Sequence, residues 1–498
     1  MHNIPSFASI LVVGLQLMDL FSSAYGQDAP LFVEGALEDA IAFDDTFNSG
    51  GTISVGGFNI TIPKNLQVEF PAAYVGWRDF AAEKDSMIGY ETMVLGNFIN
   101  GVPMAAQVQI YEFFEGLASG FVESIDFEDG SMKIVNGPTL RINDPNAVFS
   151  VGFTAAPFFT ADDESPSITS FSGFPMCIPR GVNDTACPST NRPFRGQGTF
   201  VAPDPLSMVP FLPGDFITWS GIRRGDEVVA FSIVAQNVQI TTINDLVYLR
   251  TETALLGVSN FNGNTELAES RIIGYTSNAR STVALYAMDI DPCTGAVTDR
   301  IVAAIGLRGG GNAQNKFEYR ADILAGYARD YRIVAEVNGV PATRTTKNGF
   351  LAGTYVQPVN VWVQSEQDVP GVPPPANDFS QLPWLTQGLG VDEDGNLWGP
   401  LDPFPQSGVA VGPPTACDVG TLEFEGDDVD TDWVPSASLL NATLPLNSTS
   451  FNSTNLNATA ASVPAKRRNV PDARWATRAR LDATTLPAGD PALNQITA

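Results

Sequence analysis

TISVGGFNITI (52–62) alternates apolar and polar positions on both sides of a Gly-Gly pair. Ile53 and Val55, then Phe58, Ile60 and Ile62, share one face, with Gly56-Gly57 between the halves. Period-two alternation interrupted by paired glycines predicts a β-hairpin whose turn needs positive φ. Asn59-Ile60-Thr61 is also a triplet for N-glycosylation. With Phe58, Ile60 and Ile62 turned to the core, Asn59 is expected to face solvent.

The same design recurs at SMKIVNGPTLRI (131–142), with Met132 and Ile134, then Asn136-Gly137, then Leu140 and Ile142. A second pattern repeats with it. Gly89-YETMVL-Gly96 precedes NFINGVPMAAQVQI, and Gly214-DFITWS-Gly221 precedes IRRGDEVVAFSIV. Each Gly-to-Gly step is seven positions, followed by a short turn at Gly101 or Gly225 and an apolar strand. Two copies of one β module, 27–117 and 118–240, account for both patterns.

Gly57 to Gly89 spans 32 positions, whereas Gly137 to Gly214 spans 77. The second copy therefore carries an insertion that includes FTAAPFFTADDESPSITSFSGFPMCIPR (153–180), Cys177, Cys187 and the triplet at Asn183. Such an insertion reads either as a binding surface or as a flap over the open end of a barrel. Within it, Asp162-Asp163-Glu164 has the donor chemistry for calcium, but a solvated acidic turn is the favoured reading.

Hairpin, Gly-Asp-Phe-Ile-x-x-x-Gly and following strand resemble small OB-like barrels, over about 200 residues. The resemblance implies one face suited to oligosaccharide or nucleic acid. A net charge of −28, from 27 Lys+Arg against 55 Asp+Glu, repels nucleic acid and anionic membranes and argues against nucleic acid as a partner. Glycans or cell-wall material are the expected partners.

From 241 to 366 the alternation continues in VYLRTETALLGVS, STVALYAMDID, DYRIVAEV and YVQPVNVWVQ, which predicts a β-sandwich-like domain with Cys293 in a turn. RGGGNAQN (308–315) lacks the strand-to-helix context of a phosphate cradle and reads as a loop. VPGVPPPAND (369–378) opens a Pro-rich linker and acidic segment, 367–433. In DEDGN (392–396) the glycine stands at the wrong place for a calcium loop, so a β-turn is expected.

Residues 434–498 read as a disordered, glycosylated stalk. Asn441, Asn447, Asn452 and Asn457 each begin a glycosylation triplet, and Lys466-Arg467-Arg468 resembles a dibasic processing site. At the other end, residues 1–26 combine an apolar run, Ile10 to Leu20, with small residues at Ala24 and Gly26, the pattern of a cleavable signal peptide ending at Gly26. Signal, stalk, dibasic site and OB-like repeats together resemble filamentous-fungal secreted glycoproteins. The resemblance implies a secreted, extracellular or cell-wall-associated location, and the lack of any later apolar run of about 18 residues leads to the expectation of no membrane anchor.

In that compartment four cysteines read as two bridges, for which three connectivities exist. The short loop favours Cys177–Cys187 and leaves Cys293–Cys417. The chain's one histidine is His2, within the signal. Imidazole-based nucleophile systems and His-ligated transition metals are therefore closed to the mature chain. No cofactor is implied. Carboxylate chemistry stays open. The expected function is a secreted, N-glycosylated, non-enzymatic binding or cell-surface structural protein. Its alternatives are a carboxylate-based carbohydrate-active enzyme and an accessory protein of secreted secondary metabolism.

Overall fold

The two copies of the repeat form two closed five-stranded barrels of the same strand order. The computed structural model describes residues 28–411 and Cys417, apart from 111–116, 157, 194–197, 258–269, 309–313, 322–325, 363–370 and 412–416. The expected signal peptide with Gly26, the stalk triplets at Asn441, Asn447, Asn452 and Asn457, and Lys466-Arg467-Arg468 lie outside the described residues.

The first barrel comprises β1 (Ala29–Ala42), β2 (Gly51–Val55), β3 (Phe58–Ile62), β6 (Glu91–Ile99) and β7 (Val102–Ile110). A hairpin of β4 (Gln67–Phe70) and β5 (Ala73–Gly76), with helix α1 (Trp77–Ala82), fills the gap between β3 and β6. The ring runs β1-β2-β3-β7-β6 and back to β1, closed by a parallel contact of β3 with β7. This is the Greek-key order of an OB-like barrel. Ile53, Val55, Ile60 and Ile62 are all buried, as the alternation requires, and Gly56 and Gly57 both have positive φ. Phe58 corrects the expectation: it is 44% exposed. It opens β3 directly after the turn, at the rim of the barrel, where its ring meets the edge of Phe98 instead of the core.

The second barrel repeats the order with β8 (Ala118–Asp126), β9 (Ser131–Ile134), β10 (Thr139–Ile142), β15 (Phe216–Arg224) and β16 (Glu227–Ala235). Again the third strand pairs in parallel with the fifth, Thr139 to Glu227 through Ile142 to Ala230. β11 (Ile168–Ser170) then extends along β16 as β4 extends along β7. Short ladders join β12 (Met176–Cys177) to β14 (Val209–Pro210) and β13 (Thr199–Val201) to β17 (Gln239–Thr241).

The paired glycines have a shared cause. Gly89 and Gly214 enter the fourth strand of each barrel with φ of 89° and 95°. Gly96 and Gly221 sit where the register between the fourth and fifth strands slips, a β-bulge in each copy. There the neighbouring backbone is so close that a Cβ on Gly96 would lie 1.9 Å from the Met104 carbonyl oxygen.

The third unit has two facing sheets. One contains β18 (Leu249–Gly257), β19 (Ser270–Thr276), β22 (Lys316–Ala321) and β28 (Asn360–Trp362). The other contains β20 (Ser281–Ile290), β21 (Val297–Ile305), β23 (Asp330–Val337), β24 (Val340–Pro341) and β27 (Thr354–Pro358), with β25 (Arg344–Thr345) and β26 (Leu351–Ala352) as a separate ladder. Ile272 and Phe317 from the first sheet meet Val283, Leu285 and Ile333 from the second in one core, a sandwich as expected.

The span expected as a linker is folded in its described part. From Asn377 to Val411 the chain returns to the first barrel, carrying α2 (Pro383–Thr386) and a hairpin of β29 (Gly390–Val391) and β30 (Leu397–Trp398). Asn97 Nδ2 donates to the carbonyls of Asn377 and Pro405, both at 2.9 Å, and Asn65 Nδ2 donates to Pro400 at 2.7 Å. Phe379, Leu382 and Leu401 then join the core shared by the first barrel and the sandwich.

Candidate binding cleft at the three-way junction

The first barrel, the sandwich and the return segment meet around Arg329. Its guanidinium lies over the Tyr74 ring, 3.7 Å from the centroid, and Nη1 donates to Gln67 Oε1 at 3.0 Å. Nε faces Asp330 Oδ2 at 3.4 Å, in a pair whose side chains are 11% and 3% exposed. Thus a β4–β5 hairpin residue on each side and a strand-entry carboxylate hold one cation, by stacking and charge-assisted contact.

Around this clamp lies a cleft of about 230 Å³, walled by Met288, Tyr327, Arg329, Pro383, Trp384 and Gln387. A second pocket shares Arg329 and Trp384 with it and is lined as well by Gln67, Glu69 and Gln107. Gln107 Oε1 is buried there with no hydrogen-bond partner among the described residues. The carboxylates nearby are engaged: Glu69 Oε2 accepts from Gln109 Nε2 at 2.8 Å, and Asp289 accepts from Arg300 at 2.6 and 3.0 Å. That hydrogen-bonded pairing raises the Arg300 guanidinium above its usual range. The cleft offers aromatic walls, an amide acceptor and a fixed cation, which is binding chemistry more than proton-transfer chemistry.

The residues singled out in sequence are scattered. Cys177 bonds to Cys187 and Cys293 to Cys417. Asn59 is exposed on β3, and Asn183 is exposed in the loop that the first bond closes. The long insertion is chiefly interior: Phe159 packs on Phe70, Tyr90 and Phe231, so it wedges between the barrels. Asp162 is no solvated turn. It is wholly buried, Oδ1 accepts the backbone N–H of Glu164 and Ser165 at 2.8 Å, and Oδ2 has no partner among the described residues. Burial pushes its carboxyl well above the ordinary range, against the pull of those two N–H groups.

DEDGN is a turn in which Asp392 accepts from Asn396 N, Asn396 Nδ2 and Trp398 Nε1. Among the described residues no group of three His, Cys, Asp or Glu side chains gathers as a metal site would require. The cleft itself was missed in sequence. The one local signal is Arg329-Asp330 between Tyr327 and Tyr331, a charged pair among aromatics at a strand entry. No protein-family model matches the chain, and no curated protein is similar to it.

Two disulfides suit an oxidising compartment. No helix among the described residues is long and apolar enough to cross a membrane.

Proposed function

We propose that this is a secreted, N-glycosylated binding protein of the cell surface or extracellular space, without catalytic activity, which takes a glycan or cell-wall fragment. One observation carries the reading: the junction cleft has aromatic walls and an unpartnered amide acceptor, while its carboxylates are engaged by neighbouring side chains. Sugars present apolar ring faces and hydroxyl donors, which suit Trp384 and Gln107 respectively. The exposed triplets at Asn59 and Asn183 and the two disulfides support export. Resemblance to fungal secreted glycoproteins agrees with it.

A carbohydrate-active enzyme is the second reading, favoured by Asp162, a carboxyl whose pKa burial raises well above the ordinary range. Its zero exposure argues against contact with a substrate. The test is a glycan array alongside a panel of chromogenic glycosides. Binding that falls at least tenfold in Gln107→Ala, with no glycoside turned over, is the expected result. Turnover that disappears in Asp162→Asn would replace it with the enzyme reading.

A further inference from the structure

One buried nucleophile lies outside the cleft. Thr251, on the first strand of the sandwich, and Gln357, on β27, are 1% and 3% exposed, and Thr251 Oγ1 donates to Gln357 Oε1. The carboxamide is oriented from its other side, where Gln357 Nε2 donates to the Pro358 carbonyl at 2.8 Å. Just beyond that point the chain crosses from β27 in one sheet to β28, which runs parallel to β18 in the other. The Thr251–Gln357 contact therefore joins the two sheets where the chain passes between them.

The surroundings are polar, enclosed and incompletely satisfied. Tyr355, on the same face of β27 as Gln357, is 1% exposed, and its hydroxyl has no hydrogen-bond partner among the described residues. Burial chiefly raises that hydroxyl's pKa, and the charge of Asp162 raises it further. Thr251 and Arg250 pull it the other way, though Thr251 falls outside hydrogen-bond geometry with it. Two buried proton carriers, Tyr355 Oη and Asp162 Oδ2, thus stand unpartnered in one neighbourhood. Leaving such buried groups unpaired is costly, so each calls for an explanation. Arg250 adds a buried cation, with Nε bonded to the Phe171 carbonyl at 2.8 Å.

We propose that Thr251 and Gln357 become joined by an intramolecular ester. The Thr251 hydroxyl oxygen adds to Gln357 Cδ, the Oγ1–Cδ bond forms and the Cδ–Nε2 bond breaks. The hydroxyl proton goes to the departing nitrogen, and one ammonia leaves. No oxidant, reductant or further reactant is needed. A hydroxyl is a poor nucleophile until a neighbour takes its proton, and the burial of both side chains shields the ester from bulk solvent.

The test is peptide mapping of the full-length purified protein at mildly acidic pH. The expected result is one species in which the Thr251 and Gln357 peptides are linked, lighter than their sum by about 17 Da, the ammonia lost on acylation. Hydroxylamine should separate the two. Free peptides of unmodified mass would overturn the proposal, as would a link that survives hydroxylamine or persists in Thr251→Val. Because none of these residues lines the cleft, a failure here leaves the reading of the cleft standing, and the reverse holds.

Discussion

The two barrels share strand order, closure and bulge, and differ in what fills the gap between the third and fourth strands. In the first, a hairpin and helix α1 bury Phe70, Trp77 and Phe80, so apolar contact stabilises the gap. In the second, a longer and mostly irregular insertion is held by side chains that satisfy backbone groups. Asp144 accepts the N–H of Val148, Phe149 and Ser150 at 2.7–2.9 Å, and Asn191 Nδ2 donates to three carbonyls at 2.8–3.0 Å. Irregular backbone can be buried only if each of its polar groups finds a partner, which is the work these residues do.

The position after the entry glycine shows the same division. Tyr90 in the first barrel packs against Phe159 of the insertion, with centroids 5.4 Å apart. Asp215 in the second makes a two-pronged pair with Arg192 at 2.6 and 2.5 Å, both side chains 4% exposed. One backbone slot serves an interface in one copy and an internal staple in the other.

The largest expected effect breaks that staple. Asp215→Ala leaves Arg192 buried without its counter-charge and should cost about 3–5 kcal/mol in urea unfolding. A loss below about 1 kcal/mol would show that the second barrel does not depend on the pair. Next come the bulge glycines. A Cβ would meet the Met104 carbonyl oxygen at 1.9 Å on Gly96 but the Val229 carbonyl oxygen at 2.6 Å on Gly221. Gly96→Ala should therefore cost about 3 kcal/mol and Gly221→Ala about 1–2, by overpacking. The reverse order would mean that the two bulges are not equivalent.

The smallest effect concerns pH. Each insertion buries a carboxylate, but Glu69 has Gln109 as donor whereas Asp162 Oδ2 has no partner among the described residues. Since burial raises the Asp162 pKa in the folded state, its contribution is most favourable below the unfolded value near 3.8. It is lost as pH rises from there through the folded pKa, because the unfolded chain ionises first. Asp162→Asn should flatten the fall in stability that begins as pH rises above the unfolded value. An unchanged slope would assign that fall to the overall charge of −28 instead.

The barrels were legible because their signals are local: alternation at 52–62 and 131–142, and glycines seven positions apart. Phe58 kept the alternation and still faced solvent, since period two cannot say where a barrel ends. The return segment was read as a linker because its prolines are local while its anchors are not. Asn97 and Asn377 lie 280 positions apart. Asp162 looked like a surface turn for the same reason: its burial depends on β27, far along the chain, where Val356 N donates to Ser165 Oγ at 3.0 Å. The cleft draws on Gln67, Gln107, Arg329 and Trp384, and no window of sequence contains more than a fragment of it.

The bond between Cys293 and Cys417 closes 124 positions of chain and ties the end of the return segment to a turn of the sandwich. That turn is itself interlocked with the segment, for a Cβ on Gly390 would lie 2.1 Å from the Gly295 nitrogen. A pull on the chain beyond Cys417 would therefore enter the molecule at Cys293. The covalent path leads into β20 and β21, while the hydrogen bonds that seat the return segment on the first barrel lie off it. Tension on the carboxyl end would be borne first by the sandwich, and it would reach the junction cleft through β20, whose Met288 forms one of the cleft walls.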